Sequence, residues 1–407
     1  MFNLMRNIRR QGFKSLLVCF IGILLTLFLS LYLGNIAASR KELNHLPEVL
    51  PVASHITNIS GSKSVGLLID GGLIEKIKAT NMVNNLRYTV QLSANFAPET
   101  PEEELGYKYI AIMGVNDISA FSLLSAEDIE WADGVAEDFL SGRQAGVIVQ
   151  ENFLENNDLN IGDRVWLSLY SIDYGEKLNE IYYKKIDDIA LEIVGSYALN
   201  VTQFGEFILP DMICPVGWVE ETLQEYDKKF YADSASFVVS DPLKLNDFKA
   251  AMRSFGFQPV NAQADSYSLS GFGLLVNDET FVRSAGSLQK NLTMMTVFLP
   301  LILLLIVLVG YIASYLVMQS RRSEVAVMRS LGVSQSRCIL SLSAENALLV
   351  LLGCLVGLAA AVSFTGIGLS GALVITAVFF VSYMLGVVAA LLKLSRMPVM
   401  EVLTKSE

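Results

Sequence analysis

Three intervals of this chain are almost empty of charge and long enough to hold four membrane crossings, which confines the fold to a polytopic helical membrane protein. No residue between Lys14 and Arg40 is charged, and none between Lys290 and Arg321. Between Arg337 and Lys393 the only charge is Glu345. A helix needs roughly 20 apolar residues to cross a hydrocarbon core of ~30 Å. In that core every backbone N–H and C=O must be satisfied internally, so such runs are read as helices. The first interval is one uncleaved span, 15–38: its apolar core exceeds that of a signal peptide, and no small-residue cleavage site follows. The second is a span over 291–319, longer than the core requires. Either tilt absorbs the excess or the outer end continues as a stalk, and Pro300 permits a bend there. The third holds two spans, 339–364 and 372–393, joined by the external turn "TGIGLSG" at 365–371.

Charge fixes the expected orientation. The 407 residues are 52% apolar and carry a net charge of −11, but the two signs are segregated. From Lys41 to Lys290 there are 37 acidic and 18 basic residues, a net of −19, whereas the remainder is +8. Arg6, Arg9, Arg10 and Lys14 precede the first span. Arg321, Arg322, Arg329 and Arg337 lie between the second and third, and Lys393, Arg396 and Lys405 follow the fourth. All three groups fall on one side of a four-span topology, and the positive-inside rule makes that side cytoplasmic. Both termini are then cytoplasmic and the acidic block, 39–290, is extracytoplasmic. The segment 1–14 reads as an amphipathic interfacial helix, with Phe2, Met5 and Ile8 on one face. Residues 394–407 read as a cytoplasmic tail.

The acidic block shows mixed periodicities. "PVASHITNIS" reads as a strand, "DGGLIEKIKATNMV" as a helix and "LRYTVQLSANF" as a returning strand. A second unit follows in "SASFVVSD", "PLKLNDFKAAMRSFGF" and "QPVNAQADSY", its helix carrying Leu245, Phe248, Met252 and Phe255 at core spacing. Residues 50–117 plus 232–268 are therefore expected to form one α/β subdomain, with 118–231 a strand-rich insertion. Cys214 is the only cysteine in the block, so no internal disulfide holds it. His45 and His55 are the only histidines, and no spacing suggests a metal site or a catalytic constellation. The carboxylates read as a solvated surface, and nothing points to nucleic acid.

The short loop 320–338 is the informative segment. Ser323 is placed as an N-cap, Glu324 and Arg329 suit the first and last turns of a helix, and Gly332 suits its C′ position. Val325, Met328 and Leu331 form an apolar stripe that needs covering. Two occupants fit the pattern: lipid headgroups, with the arginines on phosphates, or a cytoplasmic protein that docks on the helix. Within the spans, Glu345 lies near the cytoplasmic end of the third, where a carboxylate would reach water or an arginine. Gly353 and Gly357 in "GCLVG" make a small-xxx-small pattern suited to helix packing.

The stretch "RRSEVAVMRSLGVSQSRCILSLSAEN" resembles the signature of FtsX-like, or MacB-like, ABC transporter permeases. That signature reads R-x-x-E-I-G-x-x-R-A-L-G-A and is followed by a span opening near a glutamate. Arg321 or Arg322, Glu324, Arg329, Leu331 and Gly332 stand at matching positions. Val325-Ala326 replaces Ile-Gly, and Ser330 replaces Ala. The tail "LSRMPVMEVL" is similar to the family's ending, and the order of one span, a large ectodomain and three spans matches as well. The resemblance implies an ectodomain with a porter-like α/β unit and a strand-rich insertion. It also implies a bacterial cytoplasmic-membrane permease whose loop residues Arg321, Arg322, Glu324, Val325, Met328, Arg329, Leu331 and Gly332 contact an ABC ATPase. The implied partners are two copies of that ATPase, a second permease chain (identical or a sister), membrane lipids, and an extracytoplasmic adaptor or effector.

No G-x-x-x-x-G-K-[ST] phosphate loop occurs, so the chain is not expected to hydrolyse ATP. No cofactor is expected on it, and ATP and Mg belong to the partner. The implied work is mechanical transmission that exports or expels a peptide, antibiotic or lipid-linked substrate. Two alternatives share the topology: a signalling subunit controlling a cell-wall hydrolase, and a lipoprotein-extraction permease. A membrane-anchored receptor would leave the loop without a purpose.

Overall fold

The computed structural model describes residues 12–97, 109–121, 123–135, 138–174, 181–198, 209–264, 271–319, 324, 327–328, 330–365 and 369–395. The chain divides into two compact units, one of residues 1–46 and 283–407, the other of Pro47–Val282. The amphipathic segment 1–14, the tail and the centre of the external turn are calls that fall largely or wholly outside the described residues.

The first unit contains four helices long and apolar enough to cross a membrane. They are α1 (Gly12–Val49), α6 (Glu279–Gln319), α7 (Gln335–Thr365) and α8 (Leu369–Ser395). Both α1 and α6 outrun the spans expected at 15–38 and 291–319. The 41 residues of α6 extend ~60 Å at 1.5 Å per residue, about twice the hydrocarbon thickness. Val18, Leu29, Ile302, Ile306, Leu349, Val350, Phe379 and Tyr383 are among the side chains that close the common core of the four helices.

The second unit is built on one 11-stranded sheet, in the order β12-β13-β1-β11-β3-β4-β9-β6-β8-β5, with β7 beside β3 and β8. One end of it is a β-α-β-β-α-β arrangement. Here β1 (Ala53–Asn58), α2 (Gly71–Ala79) and β3 (Val83–Phe96) form the first half. The second half is β11 (Ser234–Val239), α5 (Leu245–Ser254) and β13 (Phe272–Val276). The strands run β13-β1-β11-β3, each antiparallel to its neighbour. Both helices start and stop where their sequences say. Asp70 caps α2 by accepting the Gly72 N–H at 2.8 Å. Gly256, at φ +99°, ends α5, and the Phe257 N–H returns to the Met252 carbonyl at 3.2 Å. Leu245, Phe248 and Met252 are buried, and Phe248 meets Phe237 edge-on at 6.0 Å.

One expectation for this unit needs correction. The returning strand read at "QPVNAQADSY" is only the two-residue β12 (Gln258–Pro259). The strand beside β1 is instead β13, beyond the expected limit at 268, because Pro259 lacks an N–H for a central ladder whereas "FGLLV" is apolar and unbroken. The strand-rich part continues the same sheet. One half of the 14-residue β3 pairs with β11, while Thr89–Ala94 pair with β4 (Ile110–Val115) and Ser93–Phe96 with β7 (Arg164–Tyr174). From β4 the same sheet continues through β9 (Met212–Pro215), β6 (Gly146–Gln150), β8 (Ile181–Tyr197) and β5 (Ile129–Trp131). The two remaining helices of this unit are α3 (Glu151–Asn156) and α4 (Val216–Glu225).

Asp233 staples a loop to β3 at a cost that pH can remove. It is 8% exposed, accepts the Gly66 N–H at 3.0 Å and lies 3.5 Å from the Thr89 hydroxyl. Burial outweighs these hydrogen bonds and pushes its carboxyl up to about 6. A carboxyl raised in the folded state binds its proton there first. Its favourable contribution is therefore full below pH ~4 and lost as pH rises through ~6, an effect of about 3 kcal/mol. Asp233→Asn keeps the acceptor for Gly66 and is neutral at all pH. The variant is expected to melt several degrees above wild type at pH 7.5 and level with it at pH 4, as read by thermal unfolding of the full chain in detergent.

Candidate coupling site

Four of the proposed loop residues, Arg321, Arg322, Val325 and Arg329, lie outside the described residues. The others form a short, well-terminated helical segment: Glu324, Val327, Met328 and Ser330 are helical. The Leu331 N–H bonds the Val327 carbonyl at 3.1 Å, and the Val333 N–H reaches back to the Met328 carbonyl at 3.1 Å. Gly332 takes the left-handed conformation that this closure requires, at φ +85°. After Gly332 and Val333, the Ser334 carbonyl accepts the N–H groups of Arg337 and Cys338 at 3.1 and 3.2 Å and opens α7. The turn between the two helical pieces is short and is hydrogen-bonded on both sides of Gly332.

The described residues of the segment expose an apolar side chain that the expected stripe did not include. Val327 is 53% exposed, Leu331 78% and Val333 36%, while Met328 is half-buried. Positions 327 and 331 are i and i+4, neighbours on one helical face. The sequence argument followed the 325, 328, 331 spacing and overlooked Val327, which the i,i+4 relation to Leu331 would have found. Leu340, in the first turns of α7, is also 72% exposed.

Behind the loop, two close helix contacts hold the spans. A Cβ added at Gly353 would overlap the carbonyl oxygen of Cys19, and one at Gly357 would come within 2.8 Å of the Ile23 carbonyl. Gly22 answers from α1, where a Cβ would stand 3.6 Å from the Gly353 Cα. The "GCLVG" pair thus packs on α1. The second contact, between α6 and α8, had no such signature: a Cβ at Gly310 would lie 2.7 Å from the Tyr383 carbonyl, and one at Gly386 would overlap the Val307 carbonyl. Its two glycines stand singly on different helices, and no spacing within one helix announces them. Towards the C-terminal end of α8 the Lys393 ammonium sits 5.9 Å above the Tyr311 ring, which stacks on Tyr315.

Glu345 is 6% exposed, and its neighbour Asn346 is also buried and donates to the Leu342 carbonyl at 3.2 Å. Polar side chains enclosed between helices at this depth serve the bundle more readily than an exposed one would.

Four apolar helices, with a large α/β unit inserted between the first and second, define a polytopic membrane protein. Residues 296–399, across the last three helices, match the family model described as FtsX-like permease C-terminal. No curated protein sequence matches the chain. Among solved structures, a domain of a permease protein from Porphyromonas gingivalis is 14% identical at a TM-score of 0.28, covering 56% of this chain and 86% of that one. The extracellular domain of the noncanonic ABC-type transporter YknZ from Gram-positive bacteria is 11% identical at a TM-score of 0.30, covering 55% and 99%. Neither alignment carries an argument on the fold at those scores.

Proposed function

We propose that this chain is the membrane-spanning subunit of a MacB-like ABC system, which relays the motion of a separate cytoplasmic ATPase to its own extracytoplasmic domain. The observation that carries the reading is the Val327–Leu331–Val333 surface. It is an apolar face on a rigidly terminated helical segment, set between two spans in the part of the chain that matches the FtsX-like family. Exposed apolar groups at such a place favour a protein partner over water. The basic residues in the loop and near both termini support a cytoplasmic placement of this surface, on the side where ATP is available. Two ATPase copies and two permease chains make the natural stoichiometry, since each permease offers one such segment.

The chain supplies no phosphate-binding loop of its own, so ATP and Mg sit on the partner. The enzyme of the complex is that partner. The acidic −19 block and the ~60 Å α6 that leaves it are the parts that act on the substrate, a peptide, antibiotic or lipid-linked molecule handled outside the membrane. Gentle-detergent purification of the tagged chain from its native cells is expected to recover a cytoplasmic ATPase in a one-to-one ratio, with ATP hydrolysis in the eluate. A chain that purifies alone and inert would overturn the reading.

A further inference from the structure

Among the described residues, the four apolar helices of the first unit close into a ring, and one of its seams carries two open grooves where two others carry close glycine contacts. Around the ring the order is α1-α7-α8-α6. At α1–α7, Gly22, Gly353 and Gly357 bring backbone onto backbone, and at α8–α6, Gly386 and Gly310 do the same. Contacts this close leave no room to slide, because any separation forfeits dispersion across the whole contact. The consecutive helices α7 and α8 share the core through Leu349, Val350 and Cys354 on one and Ile375 and Phe379 on the other.

The fourth seam, α1–α6, contains two cavities. At the outer end, a cavity of about 480 Å³ is lined by Arg40, Leu43 and Asn44 of α1 and by Gln289, Leu292, Thr293, Thr296 and Val297 of α6. At the inner end, a cavity of about 240 Å³ lies between Leu17 and Ile21 of α1 and Val309, Ile312, Ala313, Leu316 and Val317 of α6. Between them the Tyr32 hydroxyl of α1 donates to the Met295 carbonyl of α6 at 2.7 Å. That latch sits beside a break in the ladder: Pro300, inside α6, has no N–H for the carbonyl of Thr296. Below Pro300, α6 is locked to α8 through Gly310. Above it, α6 faces a cavity.

We infer that the bundle is a clamp. The arms are α1 with α7 and α6 with α8, the α7–α8 hairpin is the hinge, and the α1–α6 seam is the line along which the clamp opens. The coupling segment joins α6 to α7 and therefore bridges the two arms, so a force on it spreads or closes them. The clamp itself follows from the helix packing. Only the identity of the force rests on the ATPase reading above.

The test is distance measurement by spin labels on the full chain in nanodiscs, with the four native cysteines replaced. Asn44→Cys with Gln289→Cys reports the seam. Leu24→Cys with Leu355→Cys reports the first arm, and Leu308→Cys with Leu385→Cys the second; all four arm positions are exposed. Without any partner, the seam pair is expected to give a distance distribution at least about twice as broad as either arm pair, because loosely packed elements sample more states. Tyr32→Phe should broaden it further and leave the arms unchanged. A seam as narrow as the arms, or arms as broad as the seam, would overturn the clamp whatever the partner does. A broad seam that ignores ATP in the presence of the co-purified ATPase would leave the clamp standing and count against the coupling function.

Discussion

Leu331→Asp is expected to release the ATPase from an otherwise intact permease. Leu331 is 78% exposed in the unpartnered chain, so the substitution meets water in the free protein and leaves its folding unchanged. In the complex the same carboxylate must be buried against an apolar surface, at a cost of several kcal/mol even after relaxation. About 3 kcal/mol corresponds to a loss of roughly 100-fold or more in affinity. Leu331→Met keeps the apolar area and should bind within a few-fold of wild type. Met328→Asp is the less clean variant, because Met328 is half-buried and a charge there also strains the permease itself. The measurement is co-purification and stimulated ATP hydrolysis at matched levels of membrane insertion. Undiminished binding by Leu331→Asp would remove the segment from the interface.

The four apolar helices of this chain were legible because hydrophobicity in a bilayer is a one-dimensional property: a run of ~20 uncharged residues has few alternatives to a helix. Gly332 was legible for a local reason as well. A glycine after a short helical stretch is placed for a left-handed C′ residue, and φ +85° is what the structure shows. The helix α5 declared itself through Leu245, Phe248 and Met252, and it stops at Ser254, two residues before Gly256. Harder to read were features that depend on pairs far apart in sequence. The strand beside β1 was sought at 258–267 because it should follow its helix directly, but the alternative, 272–276, is decided by pairing with Ser54–Asn58. The continuity of the sheet through β3 rests on three different partners along one 14-residue strand. Burial of Glu345 likewise depends on which helices surround it, which its own neighbours in sequence do not state.

Gly386→Leu is expected to be the most damaging single change in the membrane unit. A Cβ there would overlap the Val307 carbonyl and stand 2.7 Å from the Tyr311 nitrogen and 3.1 Å from the Gly310 carbonyl carbon. All three are backbone atoms of a continuous helix, so no rotamer change relieves the overlap and α6 and α8 must separate. Separation uncovers Ile306, Phe379, Tyr383 and Val387, each 1% exposed or less. Lost packing on that scale costs several kcal/mol, on the order of 3–5 for a large core disruption. Gly353→Leu should act similarly at the α1–α7 contact, where Cys19 and Ile23 present backbone to it. The control is on α6, the partner helix of that contact: a Cβ at Gly286 meets nothing within 4 Å, so Gly286→Leu should be near neutral. Thermal unfolding and the monodisperse yield of the full chain in detergent separate the cases. If Gly386→Leu melts with wild type while Gly286→Leu does not, the close contact described between α6 and α8 is not the one that holds the bundle.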